Sequence, residues 1–416
     1  MKIAICTIGS RGDIQPFLVL GEYLSENGFQ VKVASAKMYE ALAANYKVTY
    51  QSFEGNYASI VDDEALKKEI GRNPFMIGKE LKEKVYPIIE SSLETYFDLV
   101  KWADVVLYHP KTMLDGICGT MQEKLIKAYV VPAFTPTKEF TNPIVSFLPI
   151  PKFLNKLTYL FNNIALSTFN TPVKNFRAKH KLAKGRSILE TPVIYGVSPL
   201  ILDRPADYPK DVFFSGFWMK DNKNDQLSEE VASFVSNEKK VLLITFGSMP
   251  YKSEVDFNLY VKAIVDHFDL KVLVVRGWGL KGKEIYKNDQ VLAIDAAPFT
   301  ALFPLVDFVV HHGGAGTTAI ALKSGLPQMI CPVLHPFGDQ YFWGKQIERN
   351  GVGVSPIPLK KLTVNKFIDS IRQLVDERLS IEADKLKQKL AAENGLLRAK
   401  EIIEKHYAQQ QRSRSL

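Results

Sequence analysis

Cysteine is scarce in this chain, and its spacing excludes the sites that cysteines usually build. The 416 residues contain three cysteines, Cys6, Cys118 and Cys331, which lie far apart in the sequence. Disulfide frameworks and zinc sites need closely spaced or even-numbered sets of cysteines. We therefore expect free thiols, no structural disulfide and a reducing compartment.

Long apolar runs are absent as well. No stretch of about 18 consecutive apolar residues occurs, so the sequence predicts no transmembrane helix. The apolar stretch at residues 2–8 is followed at once by Arg11 and Asp13, and it is too short for the core of a signal peptide. Together these absences predict a cytoplasmic protein.

Basic residues outnumber acidic ones, but they form no block. Lysine and arginine total 53 against 45 aspartate and glutamate residues, which gives a formal net charge of +8. Such a charge suits nucleic acid, an anionic membrane or an anionic small substrate. Because the basic residues are spread along the chain, the simplest interpretation is a solvated surface, and no nucleic-acid partner is expected.

Two common ligand motifs are missing. The turn at residues 9–12 reads Gly-Ser-Arg-Gly and lacks the later glycine of Gly-x-Gly-x-x-Gly, which argues against a nicotinamide-dependent dehydrogenase. His311 and His312 are adjacent on a predicted strand, so their side chains point to opposite faces and do not build a zinc site. We therefore predict no metal site.

What the sequence does contain is a regular alternation of strands and helices. Its length predicts two or three domains, and 46% hydrophobic with 24% charged residues is typical of globular proteins. Each half opens with an apolar strand and a Gly-Ser turn, at residues 2–10 and 240–248. The alternation predicts an α/β fold of doubly wound parallel sheets, whose ligand crevice lies at the carboxyl ends of the strands. In the second half, strands are predicted at 240–246, 272–276, 291–294, 308–311 and 328–331.

The most informative motif is a glycine-rich turn at residues 310–318, Val-His-His-Gly-Gly-Ala-Gly-Thr-Thr, between an apolar strand and a helix. A helix that starts here presents unpaired backbone N–H groups and the positive end of its dipole to one point. Glycines let the backbone approach an anion, and two side chains add donors. The turn predicts a phosphate site made by His312, Gly314, Ala315, Gly316 and Thr317.

A second motif, Pro-Phe-Gly-Asp-Gln, follows at residues 336–340, about one strand–helix unit downstream. Asp339 supplies an acceptor and Gln340 an amide, a pair suited to the hydroxyl groups of a sugar. The two motifs together resemble the C-terminal signature of the GT-B glycosyltransferases of family 1 type, which use nucleotide sugars. Three further segments, at residues 9–16, 246–248 and 351–354, also resemble these enzymes. The chain is most similar to the branch that contains sterol glucosyltransferases and bacterial enzymes acting on lipids, polyketides and glycopeptides.

This resemblance implies two Rossmann-like domains that face each other across a cleft. The acceptor domain would cover residues 1–206 and the nucleotide-sugar domain residues 207–394. A last helix, within residues 395–416, would cross back to the first domain. The polar, proline-containing stretch near residues 202–212 is the expected hinge.

The resemblance also implies a nucleotide sugar as co-substrate, without a metal or any other cofactor. UDP-glucose is the first candidate, ahead of dTDP-sugars and UDP-N-acetylglucosamine. The base would sit at Pro298 and Phe299, where the phenyl ring either stacks on the base or packs beneath it. The remaining donor-site residues are Ser10, Arg11, Gly12 and Ser248.

Transfer to a hydroxyl group needs a base that takes the acceptor proton. Asp13 follows the first strand and faces the predicted crevice, and the resembling branch has an aspartate in this motif. Alternatively, Asp13 caps a helix that begins at Ile14. His109, which follows an apolar strand at residues 105–107, is the rival base, although such a histidine is often structural.

The segment at residues 140–170 is rich in apolar and aromatic residues. Leu154, Leu157, Phe161, Ile164 and Ala165 share one predicted helical face. Core packing, an apolar acceptor cleft and a contact with a membrane surface all fit this pattern. The cleft interpretation assigns the acceptor to Phe134, Phe140 and Phe147.

The sequence as a whole predicts an inverting transferase that moves a hexose to a hydroxyl of an apolar acceptor such as a sterol, polyketide or carotenoid. Two alternatives with the same fold remain, a non-catalytic protein that binds sugar nucleotides or lipids, and a UDP-sugar epimerase. A peripheral membrane contact also stays open.

Overall fold

In the computed structural model of the chain, two parallel β-sheets form the centres of two α/β domains. Alternate residues of one strand pack into different cores, so helices cover both faces of each sheet: Ile3 and Ile5 enter one core, whereas Ala4 and Cys6 enter another. The structure describes residues 1–54, 79–167, 169–183, 191–220, 225–236, 239–247, 256–277, 280, 282 and 284–414. Ser248 lies outside these residues.

The first sheet has seven parallel strands in the order β3-β2-β1-β4-β5-β6-β7. Its buried apolar strands are typical of a parallel sheet that is covered on both faces. The last strand pairs with β6, so the first sheet extends to Phe214, beyond the expected domain limit at residue 206. The strands are β1 Lys2–Cys6, β2 Gln30–Ala36, β3 Thr49–Phe53, β4 Val105–Tyr108, β5 Leu125–Tyr129, β6 Val193–Tyr195 and β7 Val212–Phe214.

The second sheet has five parallel strands in the order β10-β9-β8-β11-β12. Every strand predicted in this half is present, with ends shifted by at most one residue. The apolar runs are short and are bounded by polar residues, glycine or proline, so their limits can be predicted from the sequence. The strands are β8 Val241–Thr245, β9 Lys271–Val275, β10 Val291–Ile294, β11 Phe308–His311 and β12 Gln328–Ile330.

Helices connect the strands and cover the sheets. In the described part of the first domain they are α1 Arg11–Glu26, α2 Glu40–Ala43, α3 Lys79–Trp102, α4 Asn155–Thr158, α5 Leu160–Ser167 and α6 Asn170–Lys179. In the described part of the second half they are α7 Glu229–Val235, α8 Phe257–His267, α9 Phe299–Leu302, α10 Ala315–Ser324, α11 Gln340–Arg349, α12 Val364–Leu374, α13 Glu377–Ala391 and α14 Gly395–Arg414.

The first helix begins earlier than the sequence indicated. α1 starts at Arg11, and Ser10 in extended conformation is its N-cap. Asp13 is therefore the third residue of the helix, where its carboxylate accepts the backbone N–H of Ser10 in a capping box. The prediction that Asp13 caps a helix starting at Ile14 is wrong, because Ser10 already takes that position.

The apolar segment at residues 140–170 does not form one helical face. The chain breaks between α4 and α5 at Tyr159, which is buried. Leu157 and Ile164 are 60% and 48% exposed, whereas Phe161 and Ala165 turn towards the space between the domains. The predicted common face is therefore divided between solvent and the space between the domains.

Two contacts show how the domains meet. The last helix, α14, packs on the first domain, where the side-chain amide of Gln410 donates to the carbonyl of Glu123 at 2.6 Å. Across the middle of the molecule, the backbone N–H of Gly338 donates to the carbonyl of Ile144 at 2.9 Å. The carboxyl ends of both sheets face the space between these contacts.

Candidate functional site

A cleft of about 2030 Å³ lies between the two domains. Its walls include the loops that follow β1, β4 and β5 in the first domain and β8 to β12 in the second. All of these loops leave the carboxyl ends of their strands, which is where doubly wound sheets bind ligands. The cleft is therefore the candidate site.

Asp13 lies in the wall of the first domain and is 9% exposed. Its Oδ2 accepts hydrogen bonds from the backbone N–H and the hydroxyl of Ser10, at 2.8 and 3.1 Å. Gly9 has a φ of 138°, and a Cβ at this position would lie 2.3 Å from Oδ2 of Asp13. The turn therefore requires a glycine, and it leaves Oδ1 for the residues that follow β4.

His109 follows β4 and places Nε2 at 3.4 Å from Oδ1 of Asp13. Its Nδ1 accepts the backbone N–H of Lys111 at 3.0 Å, so the proton of the neutral ring lies on Nε2 and faces the carboxylate. Burial lowers the pKa of His109 to about 4, which keeps the ring neutral. In this arrangement the Nε2–H of His109 faces Asp13, and His109 is not among the residues that line the cleft.

Lys111 is a member of the site that the sequence did not reveal. Its ammonium nitrogen lies 3.3 Å from Oδ1 and 3.4 Å from Oδ2 of Asp13. Burial alone would raise the pKa of Asp13, but Lys111 and His109 outweigh burial and hold that pKa well below its usual range. The only sequence signal for Lys111 is its place two residues after His109, in the same strand-end loop.

The other residues of the first turn also line the cleft. Ser10, Arg11 and Gly12 are lining residues, and Arg11 donates from Nε to the side-chain oxygen of Gln15 at 3.0 Å. The first turn of α1 thus forms a polar rim beside Asp13. Ser248, the corresponding prediction for the second half, lies outside the described residues.

The glycine-rich turn forms the opposite wall. β11 ends at His311, Gly313 takes a φ of 90°, and Gly314 is the N-cap of α10 without a side-chain hydrogen bond. Ala315, Gly316 and Thr317 line the cleft in the first turn of this helix. A Cβ at Gly316 would meet no atom within 4 Å. The N-terminus of α10 therefore offers backbone N–H groups and open space to an anion.

His312 is held between two glycines. A Cβ at Gly247 would lie 2.6 Å from Cε1 of the imidazole, and a Cβ at Gly314 would lie 2.6 Å from Nε2. Burial lowers the pKa of His312 to about 4, so its ring is neutral. Within the described residues its Nδ1 has no hydrogen-bond partner. His311, in contrast, is fully buried and bonded through Nε2 to the side-chain oxygen of Gln328 at 2.9 Å.

The side chains of Asp339 and Gln340 make contacts with different parts of the second domain. Asp339 lines the cleft, and its Oδ2 accepts the indole N–H of Trp343 at 2.9 Å. Burial raises the pKa of Asp339 to about 6. Gln340 is 2% exposed, and its Oε1 accepts the backbone N–H groups of Val333 and Leu334 at 2.7 and 2.8 Å. The side-chain oxygen of Gln340 thus holds a loop, while Gln340 also lines the cleft, and its contact with sugar hydroxyls stays a prediction.

The predicted base site also lies in the cleft wall. Pro298 and Phe299 line it, and the half-buried ring of Phe299 tilts over Phe303 with 4.9 Å between ring centroids. Arg276, directly after β9, reaches Asp295 after β10 at 2.9 Å. This ion pair was missed by the sequence reasoning, although both residues stand at predicted strand ends.

The three aromatic residues predicted for the acceptor divide between the cleft wall and the contact between the domains. Phe134 lines the cleft and packs near the ring of His109. Phe140 instead packs on Phe342, and Phe147 packs on Phe337, so both fill the contact between the domains. These two assignments are wrong because the partners come from the second domain. The apolar wall is completed by Ile144, Phe161, Ala165 and Leu166.

Neither a metal centre nor a membrane span is found in the part of the chain that the structure describes. Among those residues, no group of three or more His, Cys, Asp or Glu side chains is arranged to hold a metal ion. None of the helices there is long and apolar enough to cross a membrane.

Comparison with protein families finds one match in each half of the chain. Residues 3–106 match the glycosyltransferase family 28 N-terminal domain. Residues 272–405 match the C-terminal domain of the erythromycin biosynthesis protein CIII-like family. These matches contain the β1 turn with Asp13 and the glycine-rich turn with His312.

Comparison with individual proteins agrees with the domain matches. A sterol 3-beta-glucosyltransferase of Yarrowia lipolytica is 28% identical over 97% of the chain, and one of Arabidopsis thaliana is 29% identical over 98%. The chain spans 28% of the length of the first relative and 68% of the second. The solved structure of a kitacinnamycin glycosyltransferase is 17% identical, with a TM-score of 0.70 over 98% of this chain and 99% of that one. This likeness establishes the shared two-domain fold.

Proposed function

The chain belongs to the GT-B glycosyltransferases, with a family 28 N-terminal domain and a CIII-like C-terminal domain, and from this we propose the reaction it catalyses. It transfers a hexose, glucose from UDP-glucose, to a hydroxyl of a sterol or a similar lipid alcohol, with inversion at the anomeric carbon. The observation that carries the proposal is a buried carboxylate, Asp13, in the same cleft as the free N-terminus of α10.

The proposed base is Asp13. Its carboxylate takes the proton of the acceptor hydroxyl while the hydroxyl oxygen forms a bond to the anomeric carbon. The bond between that carbon and the diphosphate oxygen breaks in the same displacement, so the α-linked donor yields a β-glycoside. Ser10 and His109 hold the carboxylate in place, which limits the loss of orientation during the reaction.

The leaving diphosphate is placed at the N-terminus of α10. Backbone N–H groups of Ala315, Gly316 and Thr317 face the cleft there, and the helix dipole favours negative charge. His312 and the hydroxyl of Thr317 add hydrogen-bond donors. These groups stabilise the negative charge that develops on the leaving diphosphate, so the proposed reaction needs no metal ion.

The sugar and the base are assigned to the residues beside this helix. Asp339 is the acceptor for the hexose hydroxyl groups, and Phe299 lines the position of the nucleotide base. The choice of glucose and of a sterol is supported by the names of the relatives, both of which are sterol 3-beta-glucosyltransferases.

The apolar body of the acceptor is placed against Phe134, Phe161, Ala165 and Leu166 in the first-domain wall. A sterol or other lipid alcohol resides in a membrane, so we also propose that the protein works in the cytoplasm as a peripheral membrane protein. All three cysteines are buried and unpaired, as is usual for proteins of a reducing compartment.

The test is a matrix of donors and acceptors with the purified chain. UDP-glucose, dTDP-glucose and UDP-N-acetylglucosamine are each incubated with a library of lipid alcohols, and products are identified by mass spectrometry. We expect glucosides from UDP-glucose, with β linkages by NMR, and little UDP release without an acceptor. Altered sugar without an acceptor would indicate an epimerase, and donor binding without turnover would indicate a non-catalytic protein.

A further inference from the structure

Four large apolar side chains stand exposed on one stretch of the first domain. Phe153, Leu157, Leu160 and Ile164 are 77%, 60%, 52% and 48% exposed, and we call them the apolar ridge. Single exposed apolar side chains are ordinary on protein surfaces, but four within twelve positions concentrate apolar surface on this stretch. Exposed apolar surface of this kind marks a site that binds a partner protein or a membrane.

The charge of this stretch has one sign. From residue 140 to residue 189 the sequence contains no aspartate or glutamate, whereas it contains eight lysines and arginines. Lys152 is exposed and directly precedes Phe153 in the ridge. Lys156 is paired with Asp207 at 3.1 Å, so it contributes less. Apolar side chains next to basic ones, without acidic neighbours in the same stretch, are the composition that anionic lipid surfaces attract.

The ridge is continuous with the cleft through a single helix. Leu160 and Ile164 are four residues apart on α5 and share its exposed face, while Phe161 and Ala165, one residue further along, line the cleft. Successive residues of a helix are rotated by about 100°, so these are neighbouring faces of the same helix. A lipid bound at the apolar ridge is therefore about one helix diameter away from the apolar wall of the cleft.

From these three observations we propose that the apolar ridge docks the protein on an anionic lipid bilayer, and that the acceptor passes along α5 from the bilayer into the cleft. The passage rests on the proposed function, whereas the docking does not. The ridge residues insert among the acyl chains, and Lys152 contacts the anionic headgroups. The mouth of the cleft then opens at the membrane surface.

Docking is tested with vesicles that contain no sterol, so that no acceptor is needed. Sedimentation with phosphatidylcholine vesicles, with and without phosphatidylserine, measures binding of the wild type, Leu157→Ser/Leu160→Ser and Lys152→Glu. We expect binding to anionic vesicles, weakened about tenfold or more in both variants. Leu259→Ser is the matched control, since Leu259 is 55% exposed in the other domain, and it should bind like the wild type.

Passage is tested by presenting one sterol in two ways, embedded in anionic vesicles or dissolved with cyclodextrin. The ridge double variant should lose most turnover with vesicles and keep the kcat/KM of the wild type with the dissolved sterol. Equal activity of variant and wild type with vesicles would overturn the passage.

The remaining outcomes separate the two proposals. Absence of vesicle binding by the wild type, with turnover of dissolved sterol intact, overturns the docking and leaves the transferase standing. Vesicle binding that depends on the ridge, without transfer to any lipid alcohol, supports the docking and rejects the transferase. A dimer that the ridge variants abolish, measured by sedimentation velocity, would assign the ridge to a second copy of the chain and overturn the docking.

Discussion

The ammonium of Lys111 lies 3.3 Å from Oδ1 of Asp13, although the two residues are 98 positions apart in the sequence. This ion pair keeps the carboxylate charged far into acidic pH. The same pair makes the carboxylate a weaker base, since the strength of a general base falls with its pKa. Lys111 therefore sets both the charge state and the reactivity of Asp13.

Replacing Lys111 with methionine should raise the pKa of Asp13, because an opposite charge within a few ångströms lowers a carboxylate pKa by about 1–3 units. The acid limb of the kcat/KM profile should move to higher pH by a similar amount. Lys220→Met is the matched control, since Lys220 also lines the cleft and pairs with a carboxylate, Glu22, at 2.8 Å. An acid limb that stays in place would contradict the role of Lys111.

The same variant should show a pH-dependent loss of stability. Because the folded-state pKa of Asp13 is depressed, its ion pair stabilises the fold above the unfolded pKa of about 4, and that contribution is lost as pH falls through the folded value. Lys111→Met should therefore lower the melting temperature at pH 7 more than at pH 3. Thermal unfolding by circular dichroism at both pH values is the measurement.

Asp13→Asn separates the catalytic role of Asp13 from its structural one. Asparagine keeps an oxygen that accepts the backbone N–H of Ser10, but it loses the basic carboxylate. We expect normal donor binding and a transfer rate lower by about 10²–10⁴. A rate within a few-fold of the wild type, in a variant of normal stability, would reject Asp13 as the base.

Because Gly314 lies against the imidazole of His312, substitutions at either residue should act through that imidazole. His312→Ala should weaken UDP binding by about 1.5–3 kcal/mol, the usual range for a hydrogen bond to a charged group. Gly314→Ala should weaken it as well, since the new Cβ would lie 2.6 Å from Nε2 and displace the imidazole. In the double variant the two effects should not add, which calorimetry measures as a coupling energy. Additive losses would show that Gly314 acts independently of the histidine.

Asp339→Asn tests recognition of the sugar. The amide oxygen of the asparagine still accepts the indole N–H of Trp343, so the fold is kept. The negative charge that would accept hydrogen bonds from the hexose hydroxyls is lost. Affinity for UDP-glucose should fall, and affinity for UDP should hardly change. Equal losses for both ligands would place Asp339 at the phosphate or in the fold.

A pH series adds a second readout for Asp339. Burial raises the pKa of its carboxyl to about 6, so the group gains charge as pH rises from 5 to 7. The affinity for UDP-glucose, whose diphosphate does not titrate between pH 5 and 7, should therefore increase across this interval in the wild type. It should stay flat in Asp339→Asn.

Much of the fold and part of the site could be predicted from the sequence. The sequence alone predicts β1, β8 and β11, because each is a short apolar run followed by a glycine turn. Local periodicity and turn residues are sufficient to predict such strands. Parallel strands bring their carboxyl ends to one edge, so Asp13, His312 and Asp339 were expected in one cleft and are found there. These are consequences of local pattern and of sheet topology.

What the tertiary structure alone decided are the pairings between distant segments. Lys111 meets Asp13, Gln340 holds the loop at Val333, and Phe140 packs across the domain contact on Phe342. A helical or strand period shows which face of an element is apolar, but it does not show which neighbour covers that face. The partner depends on how two domains pack and on where one loop ends relative to another. For that reason the motifs predicted the chemistry of the cleft, but they did not predict the distant residues that contact and position the groups of the motifs.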